Sequence, residues 1–152
     1  MAVYRLHTDG GARGNPGPAG IGIVLESPEG EIIDEVAKGI GWATNNVAEY
    51  RALIEGLETA VAHRVKELVV FLDSLLVAEQ MRGKYKVKHK GLKPLHADAK
   101  ELARRFDSIK FEAVPRSRNA EADRLVNEAI DRWLDENPNF EPPRGPEQEE
   151  LF

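Results

Sequence analysis

Apolar and polar positions change period several times along the chain. Residues 2–8, 21–26 and 31–38 carry short apolar-rich runs separated by turn signals, first a glycine-rich stretch and then SPEG at 27–30. They predict three strands, and the short turns between them predict an antiparallel meander. From Asn46 the period lengthens: Tyr50, Leu53, Ile54, Leu57, Ala60 and Val61 recur at helical spacing and predict a long helix. ELVVFLD, residues 67–73, is a continuous apolar run ending in an aspartate, which suits a buried strand with parallel neighbours. Leu75 to Met81 reads as a short helix, and helical spacing returns at Leu95 to Phe106. IKFEAV, residues 109–114, is a further strand, and Asn119 is placed to cap a last helix carrying Leu125, Val126, Ala129, Ile130, Trp133 and Leu134. The order βββ-α-β-α-α-β-α predicts an α/β domain: a five-stranded mixed sheet, three strands antiparallel and two parallel, flanked by helices.

A chain of 152 residues has room for one well-buried core. The periodic part ends near residue 134, so residues 1–134 form the expected domain and 135–152 a flexible acidic, proline-rich tail. There is no cysteine, which excludes disulfides and thiolate metal sites. No apolar run reaches membrane-spanning length, and a cytoplasmic, monomeric protein is the expectation.

The net charge of -5 argues at first sight against a nucleic-acid partner. Its distribution changes that picture. From Asp135 onward there are six acidic residues and one basic one, Arg144, whereas the rest of the chain has 20 of each sign. The body is therefore neutral and free to carry a local basic patch. RGKYKVKHKGLK, residues 82–93, is such a patch, with six lysines or arginines and no acid.

Four carboxylates stand where ligand sites gather. Asp9 and Asp73 end predicted strands, at the sheet edge where open α/β sheets bind ligands. Glu49 and Asp123 fall in the expected first turns of the long and last helices, where the helix dipole favours an ionised acid. Each alone also suits a turn former or dipole compensation. Together they would raise one another's pKa at a cost that only a bound cation offsets. Oxygen ligands without cysteine or a histidine cluster favour Mg²⁺ or Mn²⁺ over zinc, and two such ions suit phosphodiester hydrolysis.

The blocks HTDGGARGNPGPAGIG, ATNNVAEYRALIEGL, FLDSLLVAEQMRG and VPRSRNAEADRLVNEA resemble, in order and spacing, those of type 1 ribonuclease H, over essentially residues 1–134. The resemblance implies a ribonuclease H-like fold and hydrolysis of the RNA strand of an RNA/DNA hybrid, leaving 5′-phosphate and 3′-hydroxyl ends. It implies that Asp9, Glu49, Asp73 and Asp123 hold two Mg²⁺ or Mn²⁺ ions, Asp9 bridging both and Asp123 holding the second loosely. By the same resemblance, backbone groups of Gly10, Gly11, Ala12 and Arg13 and the amide of Asn15 reach the 2′-hydroxyls that distinguish RNA from DNA. The glycines would admit the nucleic-acid backbone close to the sheet. Thr44, Asn45 and Asn46 match positions that touch both strands, although helix capping also suits the asparagines. Lys84, Lys86 and Lys88 lie in the place of a basic protrusion that grips the DNA strand, here shorter and without tryptophan.

Many relatives carry a histidine ahead of the last aspartate. None lies between Lys110 and Asp123 here, and Arg116, or else Arg118, stands in its place, as in the arginine-bearing branch of the family. A guanidinium stays charged near neutral pH, so its role is to hold phosphate and not to act as a base. In the tail, Gln148, Leu151 and Phe152 fit the Q-x-x-L-F pattern of peptides that dock on bacterial sliding clamps. Two other functions are compatible with these residues: a DNA nuclease of the same superfamily, and a hybrid-binding module without catalysis.

Overall fold

The computed structural model describes residues 2–143. Its elements are β1 (Val3–Ala12), β2 (Gly17–Glu26), β3 (Ile32–Ala43), α1 (Asn45–Ala62), β4 (Glu67–Leu72), α2 (Leu75–Met81), α3 (Lys93–Ala103), β5 (Ser108–Ala113), a 3-10 turn (Arg116–Arg118) and α4 (Ala120–Glu136). The strands form one sheet in the order β3-β2-β1-β4-β5. Pairing is antiparallel among β1, β2 and β3, and parallel for β1 with β4 and β4 with β5. This is the mixed sheet that the pattern of the chain predicts.

The glycine-rich stretch differs from the expectation. Instead of a turn after residue 8, β1 and β2 stay paired through Gly10↔Ile21, Gly11↔Gly20 and Ala12↔Ala19, which leaves only a tight connection. The reason lies in the helices. A Cβ on Gly10 would collide with the Ala48 carbonyl and lie 2.6 Å from the Glu49 nitrogen, so α1 rests directly on the strand. On the other face, a Cβ on Gly22 would strike the Ala122 carbonyl and come within 2.9 Å of Leu125 Cβ, so α4 does the same. Gly10 and Gly22 are seats for helix backbone, which leaves no room for a side chain at either position.

The main core lies on the α1 side of the sheet. Alternation in β2 sends Ile21, Ile23 and Leu25 inward with Leu6, and these meet Tyr50, Leu53 and Leu57 of α1 and Leu68, Val70 and Leu72 of β4. Burying each such aliphatic side chain contributes about 1.5–3 kcal/mol. Thr44 caps α1, its hydroxyl accepting from the Val47 N–H at 3.2 Å. Helix α3 ends at Ala103, three residues before its expected end, and Phe106 turns into the core beyond it.

Asn119 stands at the start of α4, but its side chain caps nothing. Its amide donates instead to the Thr8 carbonyl at 2.8 Å, pinning the helix start to β1 beside Asp9. Helix α4 runs to Glu136, and the chain after it lays Phe140 against Trp133 and Trp42, with ring centroids 4.9 and 5.9 Å away.

Candidate active site

Sheet register brings the first two carboxylates together. The last parallel pair of β1 and β4 is Thr8↔Leu72, and the residue that follows each along the chain is Asp9, still in β1, or Asp73, directly after β4. Asp9 is held further by its antiparallel partner Gly22. Glu49 arrives from α1, just past the first turn rather than within it, because the helix already begins at Asn45. The close seat at Gly10 lets the Gly10 N–H donate to Glu49 Oε1 at 2.8 Å. Asp9, Glu49 and Asp73 each offer an oxygen within 4.8 Å of the others. Asp123, in the first turn of α4, stands outside this trio but lines the same cleft of about 540 Å³.

The trio is electrostatically strained. Burial, and then the negative charges of Asp73 and Asp123, push the Asp9 carboxyl up to about 7, against a partial offset from its hydrogen bond with Glu49. Burial and the neighbouring Asp9 push Glu49 well above the usual carboxylate range. Asp73 Oδ2 is buried with no hydrogen-bond donor. Crowded carboxylate oxygens, one of them unpartnered, fit a hard divalent cation such as Mg²⁺ or Mn²⁺ and lack the nitrogen and sulfur ligands of a zinc site. Among the described residues, the one cation paired with the trio is Arg116, whose Nε lies 3.4 Å from Asp73 Oδ2.

The other expected residues divide into groups. Gly10, Gly11, Ala12, Arg13, Asn45 and Asn46 line the cleft. Asn15 and Thr44 do not line it. Asn15 Oδ1 accepts from the Asn45 N–H at 3.0 Å, Asn45 Oδ1 accepts from the Ala12 N–H at 2.9 Å, and Thr44 is the buried cap of α1. The capping role thus falls to Thr44 and not to either asparagine. Arg13 is drawn along α4, 2.7 Å from Asp131 and within reach of Asn127. Arg116 lines the cleft, whereas Arg118 borders a separate hollow beside His7 and Glu26.

In the basic segment, Glu79 of α2 takes up the first charges: Arg82 lies 2.7 Å from it and Lys84 3.9 Å. Lys86 and Lys88 are exposed. Gln148, Leu151 and Phe152 lie outside the described residues. Asn127 and Asp131 escaped the sequence reading. Their signal was there, since positions four and eight after Asp123 fall on nearly the same helical face.

Comparison with known proteins agrees with this geometry. A family model described as reverse transcriptase-like matches residues 7–129. The bifunctional protein Rv2228c of Mycobacterium tuberculosis is 51% identical over 127 residues, 83% of this chain but 35% of that protein, so the chain spans about a third of that relative. Its N-terminal RNase H domain, solved as a fusion with maltose-binding protein, superposes with a TM-score of 0.83 at 50% identity, covering 84% of this chain and 98% of that one. RNase H1 of the archaeon Halobacterium salinarum gives 0.83 at 42% identity, covering 86% and 98%. LC11-RNase H1, solved in complex with an RNA/DNA hybrid, gives 0.82 at 46% identity, covering 86% and 99%. With its sheet order, its converging carboxylates and relatives of this identity over nearly their whole domains, the chain belongs to the ribonuclease H family.

Proposed function

We propose that this protein is an endoribonuclease that hydrolyses the RNA strand of RNA/DNA hybrids with two Mg²⁺ or Mn²⁺ ions, leaving 5′-phosphate and 3′-hydroxyl ends. The observation that carries the reading is the close trio of the buried Asp9 and Glu49 with the half-buried Asp73, which is costly in charge unless a cation joins it. When bound, the ions supply activation of a water and stabilisation of the departing oxygen. Asp9 and Asp73 hold them from the sheet, Glu49 from α1 in an orientation set by Gly10, and Asp123 more loosely from α4. The protonated Arg116 holds phosphate and takes no proton.

Substrate identity is read by the loop around the cleft. With Asn45 Oδ1 engaged by Ala12, the asparagine keeps its amide nitrogen as a donor for the hybrid. The backbone of Gly10 to Arg13, the exposed Asn46 and the Asn15 link to α1 complete a surface suited to 2′-hydroxyls. Thr44 acts through α1, which it caps. Lys86 and Lys88, with Lys84 and Arg118 as weaker contributors, add phosphate contacts whose strength falls with salt. A relative of 46% identity has been solved in complex with such a hybrid, which supports this substrate.

The test is incubation of an end-labelled hybrid with Mg²⁺, beside an all-DNA duplex of the same sequence and a chelator control. Metal-dependent cutting of the RNA strand alone is expected. Cutting of the all-DNA duplex would favour a DNA nuclease, and a hybrid bound but left intact would favour a binding module.

For the tail we propose a sliding clamp as partner, on the strength of Gln148, Leu151 and Phe152 in the Q-x-x-L-F pattern. A peptide of residues 144–152 should bind a bacterial clamp, and Leu151→Ala/Phe152→Ala should lose binding; silence at high micromolar peptide would refute it. The described residues contain no helix long and apolar enough to cross a membrane. A cytoplasmic, monomeric enzyme is part of the same proposal.

A further inference from the structure

We propose that Arg116 is a built-in counter-ion that competes with the divalent cation for Asp73, so that cation loading and release of this arginine are one event. The inference rests on the metal-dependent reading above. Three acidic groups meet in the trio, and among the described residues only Asp73 has a basic partner. That partner is mismatched in burial: the Asp73 side chain is 9% exposed and that of Arg116 is 80% exposed.

The pair is also poorly directed. Arg116 Nε stands 3.4 Å from Asp73 Oδ2, yet the oxygen has no hydrogen bond, so the attraction is one of charge without an aligned N–H. An exposed arm held by charge alone is weakly bound and leaves readily. A dication held by Asp73 shares that carboxylate with this guanidinium. It must either displace it or accept a like charge beside it, and both lower the apparent affinity for the metal.

Displacement has a use. Arg116 lies in the wall of the cleft, which Ser74 and Pro115 also line, so once released it presents its charge to whatever fills the cleft. The phosphate-holding charge is then offered more fully once the cation is in place. Arg118 borders the separate hollow beside His7 and pairs with no described carboxylate, so it serves as the control.

Titration calorimetry with Mn²⁺ alone, without nucleic acid, tests the inference. Arg116→Ala is expected to bind Mn²⁺ about three- to tenfold more tightly than the unaltered protein, Arg116→Lys to fall between, and Arg118→Ala to match the unaltered protein. Raising NaCl from about 50 mM to about 500 mM should narrow the difference, because charge repulsion is screened while a change of shape is not. Equal or weaker binding by Arg116→Ala, with the unaltered protein binding normally, would overturn the inference and leave the metal reading intact. No saturable binding by any of the proteins would take down the metal reading and this inference with it.

Discussion

Asp9→Asn should lower the rate of hybrid cleavage at saturating Mg²⁺ by about a thousandfold or more, as loss of one member of an interdependent site does. It should also stabilise the metal-free protein. The Asp9 carboxyl, ordinarily at 3.8, stands at about 7 in the fold. Between those values the folded chain keeps a proton that the unfolded chain has given up, so stability falls as pH rises through this window and the full cost is present above it. Asparagine carries no charge and escapes that cost.

Melting in chelator at pH 8 should therefore show the variant several degrees above the unaltered protein, at ~2–4 °C per ~1 kcal/mol for a chain of this size. The unaltered protein should itself melt higher at pH 5.5 than at pH 8 without metal, and Mg²⁺ should restore stability at pH 8. A variant that melts lower, or a flat pH profile, would show that burial and mutual repulsion do not govern this site.

Gly10→Ala is the second large effect, and it acts on the fold first. The added methyl would collide with the carbonyl of Ala48 and approach the nitrogen of Glu49, both in helix backbone with no flexible end to give way. Helix α1 would have to lift off β1. A cost of about 3 kcal/mol is expected, hence a melting temperature lower by ~6–12 °C. Lifting α1 also withdraws Glu49 from the Gly10 N–H, so cleavage at 20 °C, where the variant is still folded, should need more Mg²⁺. Gly11→Ala is the comparison. Its methyl would sit 3.7 Å from Val126, an ordinary contact, and should change stability little. Equal losses from the two substitutions would refute the role given to Gly10.

The sheet and most helices were legible because each element carries its own period: alternation in β2, a continuous apolar run in β4, a helical stripe in α1. The carboxylates were legible for the same reason, since Asp9 and Asp73 follow directly on apolar strand runs. What escaped depended on partners distant in sequence. Nothing local says that a glycine is empty because a helix backbone will press on it, so Gly10 read as part of a turn signal and Gly22 as an ordinary strand position. Asn119 had the right position for a cap, but its hydrogen bond goes to Thr8, 111 residues away. The basic run contains no acid of its own, and nothing within it shows that Glu79 of the preceding helix engages its first two cations. Arg116 and Arg118 could not be separated by order alone, and only the 3-10 turn sends one toward Asp73 and the other behind it.

The packing of Phe140 also decides what light emission from this protein reports. The chain has two tryptophans, and Trp42 and Trp133 both sit beside that one ring, away from the carboxylate cleft. Tryptophan emission is therefore a probe of a single corner, where edge strand β3 meets the last turns of α4. A thermal melt followed by emission will time the undocking of that corner. A spectral change on adding a cation at Asp73 would mean that the disturbance has travelled along α4, whose start is pinned by Asn119 and whose middle is gripped by Arg13.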